Sequence, residues 1–242
     1  LDVIAPREFL PSFLEKFLKE IGSQWTTIDF YNLLDDSPTL PVLRETAPDA
    51  GWEYREEILQ PSPLLVLPQN YAAYLSLLDS RYRHELERKS RRAEEYFLPV
   101  EWYFVQQDED LDREIDDFLQ LMAFHPEKAH FLTGVMKTQM RKAIHNAFNA
   151  GWLQLAFLTV GGKKTASYLN FDYRNRLYIY NSGLNPIFEN LSPGWVLLGY
   201  LIEWAIAEGR EAVDFMRGDE GYKYQLGGKD RFVTRATLTR ET

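Results

Sequence analysis

The stretch Leu191-Ser192-Pro193-Gly194-Trp195-Val196-Leu197-Leu198-Gly199 decides the fold, because of what stands before it. Ser192 as N-cap and Pro193 as first helical residue make a helix start, and Gly209 makes the stop. Trp195, Leu198, Leu201, Ile202 and Ala205 recur at helical spacing and read as core rather than as a ligand box. Upstream lie three runs of strand composition, at 152–160, 164–173 and 176–182. Gly161-Gly162 turns the first into the second, and residues 172–175 turn the second into the third. A helix start that follows an antiparallel meander is neither the dinucleotide GxGxxG turn nor a Walker loop with its lysine. Unpaired N–H groups at such a start favour an anion such as a pyrophosphate, and Gly194 lets the backbone approach it. Ordinary capping is the alternative reading of the same residues.

Downstream, residues 212–216 read as a strand, 217–228 as a turn with a short helix, and 231–239 as a final strand. The strand end Asp214-Phe215-Met216-Arg217-Gly218-Asp219-Glu220-Gly221-Tyr222-Lys223 gathers ionisable and hydroxyl groups where open sheets place ligands. There a tyrosine can protonate a leaving thiolate, a carboxylate can deprotonate an amine, and a lysine can stabilise negative charge. A solvated turn with an Arg–Asp pair is the alternative.

Upstream of the meander, 100–105 reads as a strand, followed by helical periodicity over 111–124 and 131–148. Gln69 or Asn70 caps a helix from Tyr71, and a basic helix follows over 80–96 with Arg81, Arg83, Arg88, Lys89, Arg91 and Arg92. Glu85 and Glu87 are interspersed, so a salt-bridged face is the first reading of that helix and a phosphate or RNA contact the second. At the front, an apolar stripe over 6–21 predicts a helix stopped by Gly22, then a strand at 25–31, an acidic turn at Asp35-Asp36 and a short helix ending near Pro48. Residues 52–67 read as a strand or hairpin broken at Pro61 and Pro63. The order helix, Gly22, Ile28-Asp29-Phe30 and Asp35-Asp36 is echoed by helix, Gly209, Val213-Asp214-Phe215 and Asp219-Glu220, as chance or as a tandem repeat.

With 45% hydrophobic and 14% aromatic residues in 242, the chain is of folded, globular composition. A net charge of -9 argues against a protein that coats nucleic acid. The absence of cysteine excludes disulfides and a cysteine nucleophile, and fits a cytoplasmic protein. The four histidines have no metal-ligand spacing, no Gly-x-Ser-x-Gly elbow occurs, and no apolar run approaches a membrane span. The start, Leu1-Asp2-Val3, lacks an initiator methionine and a signal-peptide pattern, and is expected to be a cut inside a longer polypeptide.

The basic helix, Tyr178-Ile179-Tyr180-Asn181-Ser182-Gly183, Leu191-Ser192-Pro193-Gly194 and Arg217-Gly218-Asp219-Glu220 with Tyr222-Lys223 together resemble the GNAT-like group named after the cellulose-biosynthesis protein CelD. More distantly they resemble the Fem peptidyltransferases, which are tandem GNAT folds. The resemblance implies an α+β fold with a mostly antiparallel, splayed sheet flanked by helices. It implies a complete acyltransferase domain at 68–242, preceded at 1–67 by the back half of a first repeat. It implies acyl-CoA, acetyl-CoA first, as donor, and an amine or hydroxyl acceptor such as an envelope or exopolysaccharide precursor. Carried onto this chain, Leu191, Ser192, Pro193 and Gly194 hold the pyrophosphate, while Asn181 and Phe215 on the splayed strands flank the pantetheine arm. Asp219 activates the acceptor, Tyr222 or Tyr180 protonates the leaving group, and Lys223 stabilises the oxyanion. Arg217, Asp214 and Arg81 contact substrate, and no metal takes part. The usual GNAT loop carries more glycine than Gly194 alone, which leaves a charged tRNA as the alternative donor and a non-catalytic binding module as the alternative use of the fold.

Overall fold

A computed structural model describes residues 2–21 and 25–240. Leu1 and Gly22, the latter expected to stop the first helix, lie outside the described residues. In chain order the elements are α1 (Leu10–Ile21), β1 (Thr27–Leu34), α2 (Thr39–Asp49), β2 (Glu53–Pro61), β3 (Leu64–Val66), α3 (Tyr71–Leu77) and α4 (Ser80–Glu94). They continue with β4 (Val100–Phe104), α5 (Asp108–Ala123), α6 (Pro126–Phe131), α7 (Gly134–Asn149), β5 (Leu153–Val160), β6 (Lys163–Tyr173) and β7 (Arg176–Leu184). The chain closes with α8 (Pro193–Ala207), β8 (Ala212–Asp214), α9 (Gly221–Gln225) and β9 (Phe232–Thr239).

These elements form two compact units. The first comprises residues 1–63, 217–220 and 229–242, which include β9. Its sheet has the order β1-β9-β2, with β9 antiparallel to both neighbours. Leu10, Leu14 and Leu18 of α1 and Leu40 and Leu43 of α2 bury against Ala236 and Leu238 of β9. Of the two apolar rows on α1, only the leucine row at i, i+4 spacing is buried; Phe9 and Phe13 stay exposed.

The second unit, residues 64–216 and 221–228, is built on a six-stranded sheet of order β3-β8-β7-β6-β5-β4. Every pairing is antiparallel except β7 with β8. This is the mixed α/β, mostly antiparallel sheet flanked by helices that the sequence predicts. Both faces of the sheet are covered, which is why β5 carries the apolar run Leu155 to Leu158 and not an alternation. Ala156 and Leu158 face α8, and Leu155 and Phe157 face α5 and α7. The helix expected from 111 begins at Asp108, and Asp108, Glu109 and Asp110 in its first turn complement the helix dipole. The helix expected over 131–148 is interrupted at Leu132, and Thr133 caps α7 by accepting from the Met136 N–H at 3.2 Å. Asn70 caps α3 in the same way, through the Ala73 N–H at 2.9 Å.

Two features set up the site. β8 pairs with β7 only from Arg176 to Tyr178, and β7 runs on to Leu184, so the two strands part after Tyr178. The β6–β7 register shifts between Asn170↔Ile179 and Leu169↔Asn181, which leaves Tyr180 as the extra residue of a bulge. Meanwhile α4 lies along α8: a Cβ on Gly199 would stand 3.1 Å from Leu86, and the Lys89 ammonium sits 3.8 Å above the Trp195 ring.

Candidate active site

Where β7 and β8 part, a cavity of about 560 Å³ opens within the second unit. Its walls come from the end of α5 (Leu121 and Met122), from Tyr168 on β6, from Gly183 and Leu184 on β7, from the start of α8, from Tyr222 on α9 and from Leu226 just after it. The sheet can come this close to α5 only because of Gly183. A Cβ there would lie 2.5 Å from the Met122 backbone nitrogen and 2.6 Å from the Leu121 carbonyl carbon. Gly194 plays a milder version of this part, since its Cβ would meet the Leu184 side chain at 2.9 Å.

The helix start differs from the sequence expectation in one respect. Ser192 does stand at the N-cap and Pro193 does open α8, but Ser192 is left-handed, with φ 51° and ψ 51°, and its side chain makes no cap. The Ser192 Oγ instead accepts from Arg92 Nη2 at 3.1 Å, and its carbonyl accepts from the Trp195 and Val196 N–H groups at 3.0 and 3.2 Å. Proline supplies no N–H. The Gly194 N–H is therefore the one first-turn donor left to point at a ligand, so an anion here draws on fewer backbone donors than a glycine-rich loop would give it.

Of the other residues singled out in the sequence, Tyr222 lines the cavity with its ring edge-on to Phe215, centroids 6.3 Å apart, and Phe215 is buried behind it. Leu191 is buried just ahead of the helix start. Tyr180 does not line the cavity: it is 47% exposed and packs edge-on against Phe171. The Asn181 Oδ1 accepts from the adjacent Ser182 N–H at 2.8 Å. Lys223 is buried and donates to the Met216 carbonyl at 3.2 Å, outside the cavity lining. Asp214 is also buried and accepts from the Met216 N–H at 2.8 Å, which holds Met216 at a φ of 55°. Arg217 and Asp219 lie in the stretch that packs with the first unit, where the Gly218 N–H donates to the Pro61 carbonyl at 2.9 Å. Arg81, in the first turn of α4, is exposed with its guanidinium over Tyr82.

Five polar lining residues were not singled out in the sequence: His125, Lys128, Tyr168, Asn185 and Glu189. Lys128 reaches the stretch of β7 that has parted from β8, donating to the Ser182 carbonyl at 2.6 Å and to its Oγ at 3.2 Å. Tyr168 is fully buried, and loss of solvent holds its phenol protonated far above the ordinary range. The signal for α6 was present in His125-Pro126-Glu127, a proline at the first helical position followed by an acid. Nothing in that signal tells that α6 turns Lys128 back to β7. Among the described residues no group of three or more His, Asp or Glu could hold a metal ion, and no helix is long and apolar enough to cross a membrane.

The family described as an acetyltransferase (GNAT) domain is matched by residues 80–224. No curated protein matches the chain. Among solved structures, the C-terminal domain of an Agrobacterium fabrum protein described as a lysylphosphatidylglycerol synthetase superposes with a TM-score of 0.64 at 14% identity, covering 98% of this chain and 75% of that one. L-PGS from Bacillus licheniformis gives 0.64 at 13%, covering 96% and 74%. FemX gives 0.63 at 13%, covering 95% and 76%. At such identity the likeness is one of fold.

Proposed function

The chain belongs to the GNAT acetyltransferase domain family, and from that premise we propose that its second unit moves an acyl group from acyl-CoA, acetyl-CoA first, to an amine or hydroxyl of a polar acceptor. The observation that carries this reading is the cavity at the parting of β7 and β8, open, largely apolar, and walled by the α8 start and Tyr222. An apolar channel suits a pantetheine arm, and a few polar groups at its side suffice to orient the reacting carbonyl. The acceptor nitrogen attacks the thioester carbon, the C–S bond breaks, and the Tyr222 hydroxyl hands its proton to the departing sulfur. The proton lost by the acceptor goes to Glu189 or His125, which line the cavity. Lys223, held on the Met216 carbonyl, positions the end of β8 beside Tyr222. The narrower likeness to the CelD group, an envelope or exopolysaccharide precursor as acceptor, and a cytoplasmic site of action all belong to this proposal.

The test is a panel of acyl-CoA thioesters screened by thermal shift, followed by thiol release with amine acceptors. Tyr222→Phe is expected to lower kcat about 100-fold while leaving donor binding intact. Full activity in that variant removes Tyr222 from the chemistry.

A second reading, transfer from an aminoacyl-tRNA, is favoured by the α8 start, which keeps a single free N–H where a coenzyme loop offers several. Transfer of a labelled amino acid from charged tRNA, with none from any acyl-CoA, would select it. The tandem arrangement is also part of the proposal: α1-β1-α2-β2 repeats the order of α8-β8-α9-β9, which supports 1–67 as the back half of a first repeat and 68–242 as the complete domain.

A further inference from the structure

The basic helix does more than salt-bridge itself. Six basic residues stand against three acidic ones along α4, in a chain whose net charge is -9. Glu85 pairs with Arg88 and Lys89, but neither Arg91 nor Arg92 joins an ion pair among the described residues. Arg92 spends one nitrogen on Ser192, and its Nε is buried with no hydrogen-bond partner. Burying a charged donor without an acceptor is costly, and an anion would remove that cost. The helix dipole accounts for arginines in a last turn, though not for what faces them. Arg88, Arg91 and Arg92 line a second pocket whose other walls are Glu95, Tyr96 and Phe97. The Tyr96 and Phe97 rings meet at 4.5 Å, and Phe97 is 80% exposed although nothing about an apolar ring favours water. Guanidinium groups beside an exposed aromatic ring suit a phosphate joined to a nucleobase.

This pocket is tied to the first by Arg92, whose partner Ser192 lines the large cavity. We infer that the end of α4 binds the phosphorylated adenosine end of the acyl donor, with Arg91 and Arg92 on phosphate and Phe97 under the base. The inference rests on the acyl-transfer reading and supplies from α4 the anion-binding groups that the α8 start lacks. Coenzyme A and the 3′ end of a tRNA both carry adenosine with phosphate, so either source presents the same chemistry here.

Calorimetry with adenosine 3′,5′-bisphosphate tests it without any acyl group. The wild-type chain is expected to bind this probe with an affinity that falls as salt rises. Arg91→Glu, at an exposed position, is expected to weaken binding about tenfold or more. Phe97→Ala is expected to weaken the bisphosphate about tenfold yet leave inorganic pyrophosphate unchanged. Displacement of the probe by acetyl-CoA assigns the coenzyme as source; displacement only by a single-stranded RNA ending in CCA assigns charged tRNA. If the wild type binds neither bisphosphate nor that RNA, or both variants bind as the wild type does, the inference is overturned even where acyl transfer proceeds. Bisphosphate binding without transfer from any donor sinks the functional reading and leaves this site standing.

Discussion

Gly183 and Ser192 are single residues with opposite lessons. Gly183 needs no unusual φ; it is there because α5 and β7 touch, backbone against Cβ position. Gly183→Ala should therefore destabilise the chain by about 1–3 kcal/mol, as overpacking does, and narrow the cavity floor. Denaturant unfolding checks the first, and acyl-CoA affinity the second. An alanine variant as stable and as avid as the wild type would mean that α5 yields easily. The glycine was visible in Tyr178 to Gly183 as a motif, yet its reason was not, since Met122 comes from a helix some sixty residues earlier in the chain. Ser192 is the converse case. Its position at the helix start was legible from Pro193 and Gly194, but not its left-handed backbone or the hydrogen bond to its hydroxyl from Arg92, one hundred residues away in sequence. Local signals locate a cap; they do not tell which tertiary partner takes the cap's hydroxyl.

At the scale of elements, the β5–β6–β7 meander was readable to within a residue or two, because its turns are glycine and Asp-Asn stretches and its strands are rich in branched and aromatic residues. The partners of β9 were not. A terminal strand of alternating apolar and polar residues fits any antiparallel edge, and the choice of β1 and β2 lies in contacts between distant segments. Asp29 of β1 records that choice. It accepts from Arg235 Nε and Nη2 at 2.9 and 2.7 Å and from Thr237 Oγ1 at 2.7 Å, all on β9. These hydrogen bonds, Arg235's first, hold its carboxyl below the ordinary carboxylate range. A lowered folded pKa means stability that is full above the unfolded value and is lost as pH falls through the folded one. Asp29→Asn should thus flatten part of the acid limb of the unfolding curve below about pH 4. Parallel curves for variant and wild type in that range would show that the pair contributes nothing, as exposed pairs sometimes do.

For the whole molecule, the two units have separate cores, and residues 64–228 hold all of the six-stranded sheet, both of its cores and the cavity. A chain ending at Gly228 should keep the second unit's near-ultraviolet signal and donor binding, whereas residues 1–63 lose the middle strand of their sheet. Loss of both signals together would mean that the two units do not fold separately. The central place of β9 between β1 and β2 also fixes an order of events during synthesis. Thr27 to Pro61 leave the ribosome before the second unit, but the strand they enclose follows only after that unit has been translated. For that interval β1 and β2 have no native neighbour between them, and unpaired strand edges invite association with other chains. A chaperone that shields residues 27–61 over that interval should reduce aggregation, and slowing translation of the stretch between β2 and β9 should increase it.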